Sequence, residues 1–205
     1  PHAAVPLIIL LSLVMALMLA LPTLRRCELR LLRPAIAGGL LGFPLGLALF
    51  TALPAAGLKA GAGLIVAFLV WQRLRPAAAG LLGNSPVMGG ALSGTLSACL
   101  AMPGPPLVGP FLSRGSDRDS ARATLFAMLA ISYLAALGLH GLAGGLPAGL
   151  IDSAVWLLPA TLAGTWVGQR LAHRLPDRLL GHLITLVLTG TSLCLLATGG
   201  LELLA

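Results

Sequence analysis

PVMGGALSGTLSACLAMPGPPLVGPFL, residues 86–112, is apolar enough to enter a membrane and too broken to cross one as a plain helix. Gly89, Gly90 and Gly94 open it, and Pro103, Gly104, Pro105, Pro106, Gly109 and Pro110 interrupt its second half. Proline removes a backbone donor and clashes with the preceding turn, so a helix entering at Pro86 is expected to stop near Ala101 or Met102. In hydrocarbon, backbone freed in this way survives only where protein buries it or where it lines a wet cavity. A kinked spanning helix is the plainer alternative. Proline and glycine are common in membrane helices.

Composition sets the frame for that reading. Of 205 residues, 58% are hydrophobic and 9% are charged, with a mean hydropathy of +0.98. Soluble domains carry about 25% charged residues, so the chain is expected to be an all-α polytopic membrane protein embedded in the lipid bilayer. The net charge of +7 does not point to nucleic acid. Its basic residues sit in short loops between apolar runs, where membrane orientation accounts for them. Cys27, Cys99 and Cys194 have no metal or redox spacing. His2, His140, His173 and His182 are scattered, so no metal or cofactor is expected. No span carries a paired acid and base, which argues against an intramembrane enzyme.

Working outward from the broken stretch gives about six spans. They are Val5–Leu21, Pro34–Leu53, Leu58–Trp71, Ala123–Leu142, Ile151–Gln169 and Leu179–Leu196. Basic loops hold Arg25, Arg26, Arg30 and Arg33, then Arg73 and Arg75, then Arg114, Arg118 and Arg122, and finally Arg170, Arg174 and Arg178. Positive charge marks the cytoplasmic side. If residues 86–112 enter and leave on one face, every basic loop falls inside and Lys59 is the one exception. A full crossing would misplace the later arginines, so charge favours a re-entrant segment.

Two stretches match at a shift of 122: GFPLGLALFTALP from Gly42 and GTWVGQRLAHRLP from Gly164. Gly42 pairs with Gly164, Gly46 with Gly168, Leu53 with Leu175 and Pro54 with Pro176. The first copy lies on an outward span and the second on an inward one, the plan of an inverted-topology repeat. Each Gly-x-x-x-Gly allows close helix contact. The chain then divides into a first repeat, 1–75, and a second, 76–205, which opens with the broken segment. The first repeat has no counterpart before Val5. A Gly-rich apolar segment of about 30–40 residues is therefore expected upstream of Pro1.

GALSGTLSACLAMPGPP resembles the glycine ladder and Gly-Gly-Pro-Pro-like turn of the sulfite exporter TauE/SafE family of membrane permeases. Gly90, Gly94, Gly104, Pro105 and Pro106 stand at matching places. Ala98, Ala101 and Pro103 replace the family's usual glycines, and Leu100 stands where threonine is frequent. Arg122 and Thr124 match an Arg-x-Thr at the start of the next span. The resemblance implies a secondary transporter of small anions, sulfite, sulfonate or a related organic anion, in a prokaryotic inner membrane; a homo-oligomer is a possible further partner. A non-transporting assembly or structural subunit is the alternative.

The expected substrate-binding residues are Ser93, Gly94, Ser97, Met102, Gly104, Pro105, Pro106, Arg122 and Thr124. Helix N-termini offer backbone donors to anions, and a short helix from Pro105 or Pro106 would aim its N-terminus into the membrane. Ser93 and Ser97, at i and i+4, share a face. Their hydroxyls can meet substrate or bond back to helix carbonyls. Arg122 at the membrane edge can steer anions or simply anchor the helix.

Overall fold

The computed structural model describes residues 4–74, 85–112, 117–174 and 177–204, and the regular secondary structure among them is all helical. Eight α-helices follow in order: α1 (Ala4–Ala20), α2 (Leu29–Ala52), α3 (Ala55–Leu74), α4 (Pro86–Leu100), α5 (Pro105–Leu112), α6 (Arg118–Gly144), α7 (Leu150–Arg174) and α8 (Asp177–Leu204). A 3-10 turn, Leu21–Arg26, joins α1 to α2. Arg75, Arg114, Leu175 and Pro176 lie outside the described residues.

Four helical stretches are long and apolar enough to cross a membrane among the described residues: Ala4–Arg26, Leu29–Ala52, Asp119–Ala143 and Leu150–Gly168. Several helices outrun the apolar spans of the sequence. α2 begins at Leu29 rather than at Pro34, and α6 at Arg118 rather than at Ala123. Helical hydrogen bonding satisfies the backbone in the headgroup layer as it does in hydrocarbon, so polar residues do not stop it. Pro34 and Pro44 both sit inside α2.

The chain separates into two compact units. One holds α1, α2, α4, α5, α6 and the first turns of α7; the other holds α3, α8 and the rest of α7. In the second unit α3 packs on α8. Ser192 donates to the Gly63 carbonyl at 3.0 Å, and a methyl on Gly199 would stand 2.8 Å from the Ala60 nitrogen.

The first unit is built on the contact between α2 and α4. Methyl groups placed on Gly38, Gly42 and Gly46 would overlap the carbonyl oxygens of Val87, Ala91 and Thr95 in turn. From the other side, Gly90 faces the Ala35 carbonyl, and a methyl on Gly94 would lie 2.7 Å from the Gly39 oxygen. Both series ascend together, so α2 and α4 run parallel with their backbones in contact. Small residues permit that approach where no hydrophobic force drives helices together. Thr95 fastens the seam by donating to the Gly42 carbonyl at 3.2 Å as well as to Ala91 in its own helix. The second repeat copy behaves differently: Gly164 and Gly168 meet nothing within 4 Å among the described residues.

α5 folds back along α4. A methyl on Gly89, near the start of α4, would lie 2.9 Å from the Pro106 oxygen and 3.0 Å from Pro110. Leu107 and Phe111 of α5 pack with Leu31, Leu32 and Ala35 of α2 and with Ala127 and Met128 of α6. The broken segment therefore enters and returns at one end of the unit. At that end Arg26 meets Asp119 at 2.7 Å, and the Glu28 N–H donates to the Thr124 hydroxyl at 2.9 Å. The loop before α2 and the start of α6 thus lie at the same end of the unit. The Arg26–Asp119 pair is exposed and contributes at most about 1 kcal/mol, so it reports the arrangement rather than sets it.

This topology makes a direct prediction. In a cysteine-free background, Arg25→Cys and Asp117→Cys should react with an impermeant thiol reagent from the same face, and Ala148→Cys from the opposite one. Labelling of positions 25 and 117 from opposite faces would be incompatible with a returning α4–α5 segment.

Candidate functional site

α4 stops where the sequence requires. Three prolines at 103, 105 and 106 cannot donate to a continuing helix. Ala101 takes the left-handed conformation, with φ 57°. Its N–H bonds to the Ser97 carbonyl at 3.1 Å, and the Met102 N–H reaches back to Leu96 at 3.2 Å. The left-handed well costs a non-glycine residue roughly 1–2 kcal/mol. Burial of the Ala101 methyl among Ile9, Ala98 and Ala136 offsets part of that, by about 0.8 kcal/mol. Alanine therefore holds a left-handed position with a small net strain.

The carbonyls freed at the end of α4 are capped by α6. Tyr133 donates its hydroxyl to Ala101 at 3.4 Å. His140 Nε2 lies 2.8 Å from the Ala98 oxygen. A carbonyl only accepts, so Nε2 carries the proton. The His140 ring stands edge-on to Phe50 of α2, with centroids 4.6 Å apart, at a cleft of about 140 Å³ beside Pro6, Thr51 and Pro147. Tyr133 is about 22 Å along α6 from Arg118 at 1.5 Å per residue. The break thus lies deep in a hydrocarbon layer about 30 Å thick.

Four small polar side chains are wholly buried in this unit: Ser93, Ser97, Thr124 and Ser132. Two of them have partners. Ser97 donates to the Ser132 carbonyl at 3.1 Å, tying α4 to α6. Thr124 donates to Ser120 at 2.8 Å while receiving the Glu28 N–H. The hydroxyls of Ser93 and Ser132 have no partner among the described residues. A buried polar group left unpaired costs about 1–3 kcal/mol, so each of the two calls for a partner.

Their placement follows from helix register. Gly89, Ser93 and Ser97 recur every four residues along one face of α4, with Gly89 against Pro106 and Ser97 against Ser132. Ser93 lies between them, on the side of the returning linker. Gly104 in that linker has Leu129 of α6 as its nearest neighbour, 3.8 Å from where a methyl would stand, one turn from Ser132. The Leu107 N–H bonds to the Gly104 carbonyl at 3.1 Å. Pro105 and Pro106 carry no N–H, so the α5 N-terminus is poorer in donors than an ordinary helix start. The Gly104 N–H has no partner among the described residues.

The expected site residues thus divide into three sets. Met102, Gly104, Pro105 and Pro106 form the break and the start of α5, and Ser93 is buried in α4 about two turns before it. Gly94 is committed to the α2 seam and Ser97 to the Ser132 carbonyl. Arg122 and Thr124 lie at the basic end. There Arg122 is exposed, 6.0 Å from the Phe126 ring centroid, and shares with Pro22, Thr23, Arg26 and Asp119 an open cleft of about 300 Å³. Cys27, at the same end, has its thiol raised, first by burial and then by the Glu28 charge, against a lowering hydrogen bond from Thr124, so it stays a protonated filler. Ser132 was not legible in the sequence. A lone serine in an apolar span has no local signal, and only the facing helix gives it meaning.

The family model described as Sulfite exporter TauE/SafE matches residues 1–195. The chain belongs to that family. TauE/SafE proteins are membrane transporters, not enzymes, so the substrate is a small anion in a membrane and the chain a multi-pass membrane protein. No curated protein and no solved structure matches the chain.

Proposed function

We propose that this TauE/SafE chain is a secondary transporter of a small sulfur-containing oxyanion, sulfite or an organic sulfonate, across a prokaryotic inner membrane. Two unpartnered buried hydroxyls, Ser93 and Ser132, beside the broken helix carry the reading. Anion recognition inside a bilayer needs donors without a buried fixed cation, because an ionised side chain at the centre of a spanning helix costs about 2.5–3.5 kcal/mol. Hydroxyls and the Gly104 N–H meet that need. Arg122 and Arg26 at the rim cleft raise the local anion concentration by steering that salt screens. The two-repeat division at residues 75 and 76 belongs to the same reading, with the first repeat's glycine pair seated on the re-entrant helix.

Uptake by proteoliposomes tests it. The wild-type protein should accumulate labelled sulfite or a sulfonate. Gly104→Ala should fold, since its methyl reaches only Leu129 at 3.8 Å. Gly104→Val places branched bulk beside the free N–H and should abolish uptake while expression and insertion persist. Normal uptake by Gly104→Val would mean that the break is only a kink and the substrate passes elsewhere.

A further inference from the structure

Among the described residues, the buried polar side chains are Ser93, Ser97, Thr124, Ser132, His140 and Ser192. None is arginine, lysine, aspartate or glutamate. His140 stands two turns of α6 beyond Ser132, with its Nε2–H engaged at the Ala98 carbonyl. The residues around its cleft, among them Pro6, Leu47, Phe50 and Thr51, carry no charge. Arg26 and Arg122 are exposed at the opposite end. The region around the break therefore offers neutral groups only: two serine hydroxyls and one backbone N–H.

Resting on the transport reading above, we propose that this seat selects singly charged oxyanions, a sulfonate or the protonated form of sulfite, and rejects dianions. The desolvation penalty of an ion rises with the square of its charge, so a dianion loses roughly four times what a monoanion of the same size loses on leaving water. Three neutral donors can replace the hydration of one negative charge, and among the described residues no buried cation is present to meet the second. A serine hydroxyl also accepts, so the same pair can receive the O–H of a protonated oxyanion, whereas a site of fixed cations would favour the dianion. Proton coupling then needs no titratable protein group. Sulfite takes up a proton in water on one side, crosses as the monoanion and releases the proton on the other, so the proton travels on the substrate.

Proteoliposomes holding the full chain decide the matter with three probes: sulfite, methanesulfonate as a fixed monoanion and sulfate as a fixed dianion. Methanesulfonate should be taken up at a rate independent of pH and should compete with sulfite. Sulfate in large excess should do neither. At constant total sulfite, uptake should fall about tenfold for each pH unit above the pKa that separates monoanion from dianion. Sulfate competing as strongly as methanesulfonate, or sulfite uptake rising with pH, would overturn the charge selection while leaving the transport reading intact. If no probe is taken up, the transport reading falls and this inference falls with it.

Discussion

Gly42→Ala is expected to leave no folded protein in detergent extracts, although it adds one methyl group in the middle of a helix. That methyl would overlap the Ala91 carbonyl oxygen and stand 2.9 Å from the Thr95 nitrogen. Both are backbone atoms of α4, so no rotamer change relieves the clash. Either α2 and α4 separate along their length, or α4 shifts and drags the break with it. Overpacking against movable side chains typically costs about 1–3 kcal/mol, and backbone against backbone should exceed that. Gly138→Ala on α6 is the matched control. Its methyl meets nothing within 4 Å among the described residues, and alanine should raise stability by up to about 1 kcal/mol through helix propensity. Size-exclusion profiles and thermal unfolding in detergent give the comparison. A monodisperse Gly42→Ala protein with wild-type stability would mean that α2 and α4 are not in backbone contact.

Ser93→Ala and Ser132→Ala are expected to make the protein more stable and less active. Each removes a buried hydroxyl that has no partner among the described residues, so each should relieve about 1–3 kcal/mol of desolvation penalty when no substrate is bound. If those hydroxyls grip an anion, each also removes a hydrogen bond to a charged group, worth about 1.5–3 kcal/mol, and uptake at low substrate should fall tenfold or more. Opposed signs for stability and function are the mark of a binding group held unsatisfied until its ligand arrives. Ser97→Ala should differ in sign on the first count. Its hydroxyl already bonds the Ser132 carbonyl, so its loss should lower stability. Stabilised variants with unchanged uptake would place the anion elsewhere. The readouts are melting temperature in detergent and initial uptake rate in proteoliposomes.

The break in α4 was written in the sequence because proline acts locally. Pro103, Pro105 and Pro106 forbid a continuing helix whatever surrounds them. The expected sidedness of the segment came from charge at membrane edges, a rule that needs no coordinates, and within the unit Arg26 meets Asp119 at 2.7 Å. The membrane class followed from composition, since so few charges cannot cover a soluble surface.

Tertiary structure alone decided which small residues pack and which polar residues wait. Gly94 and Ser93 are neighbours in sequence and looked alike as candidates for binding. A helix turns by about 100° per residue, which puts Gly94 against α2 and Ser93 on the face that carries Gly89 and Ser97. The same Gly-x-x-x-Gly spacing is buried in α2 and, among the described residues, open in α7, because a spacing permits contact without supplying a partner. Ser132 carried no signal until α6 lay beside α4. Hydrogen-bond satisfaction is a property of two facing surfaces, and a single strip of sequence holds only one of them.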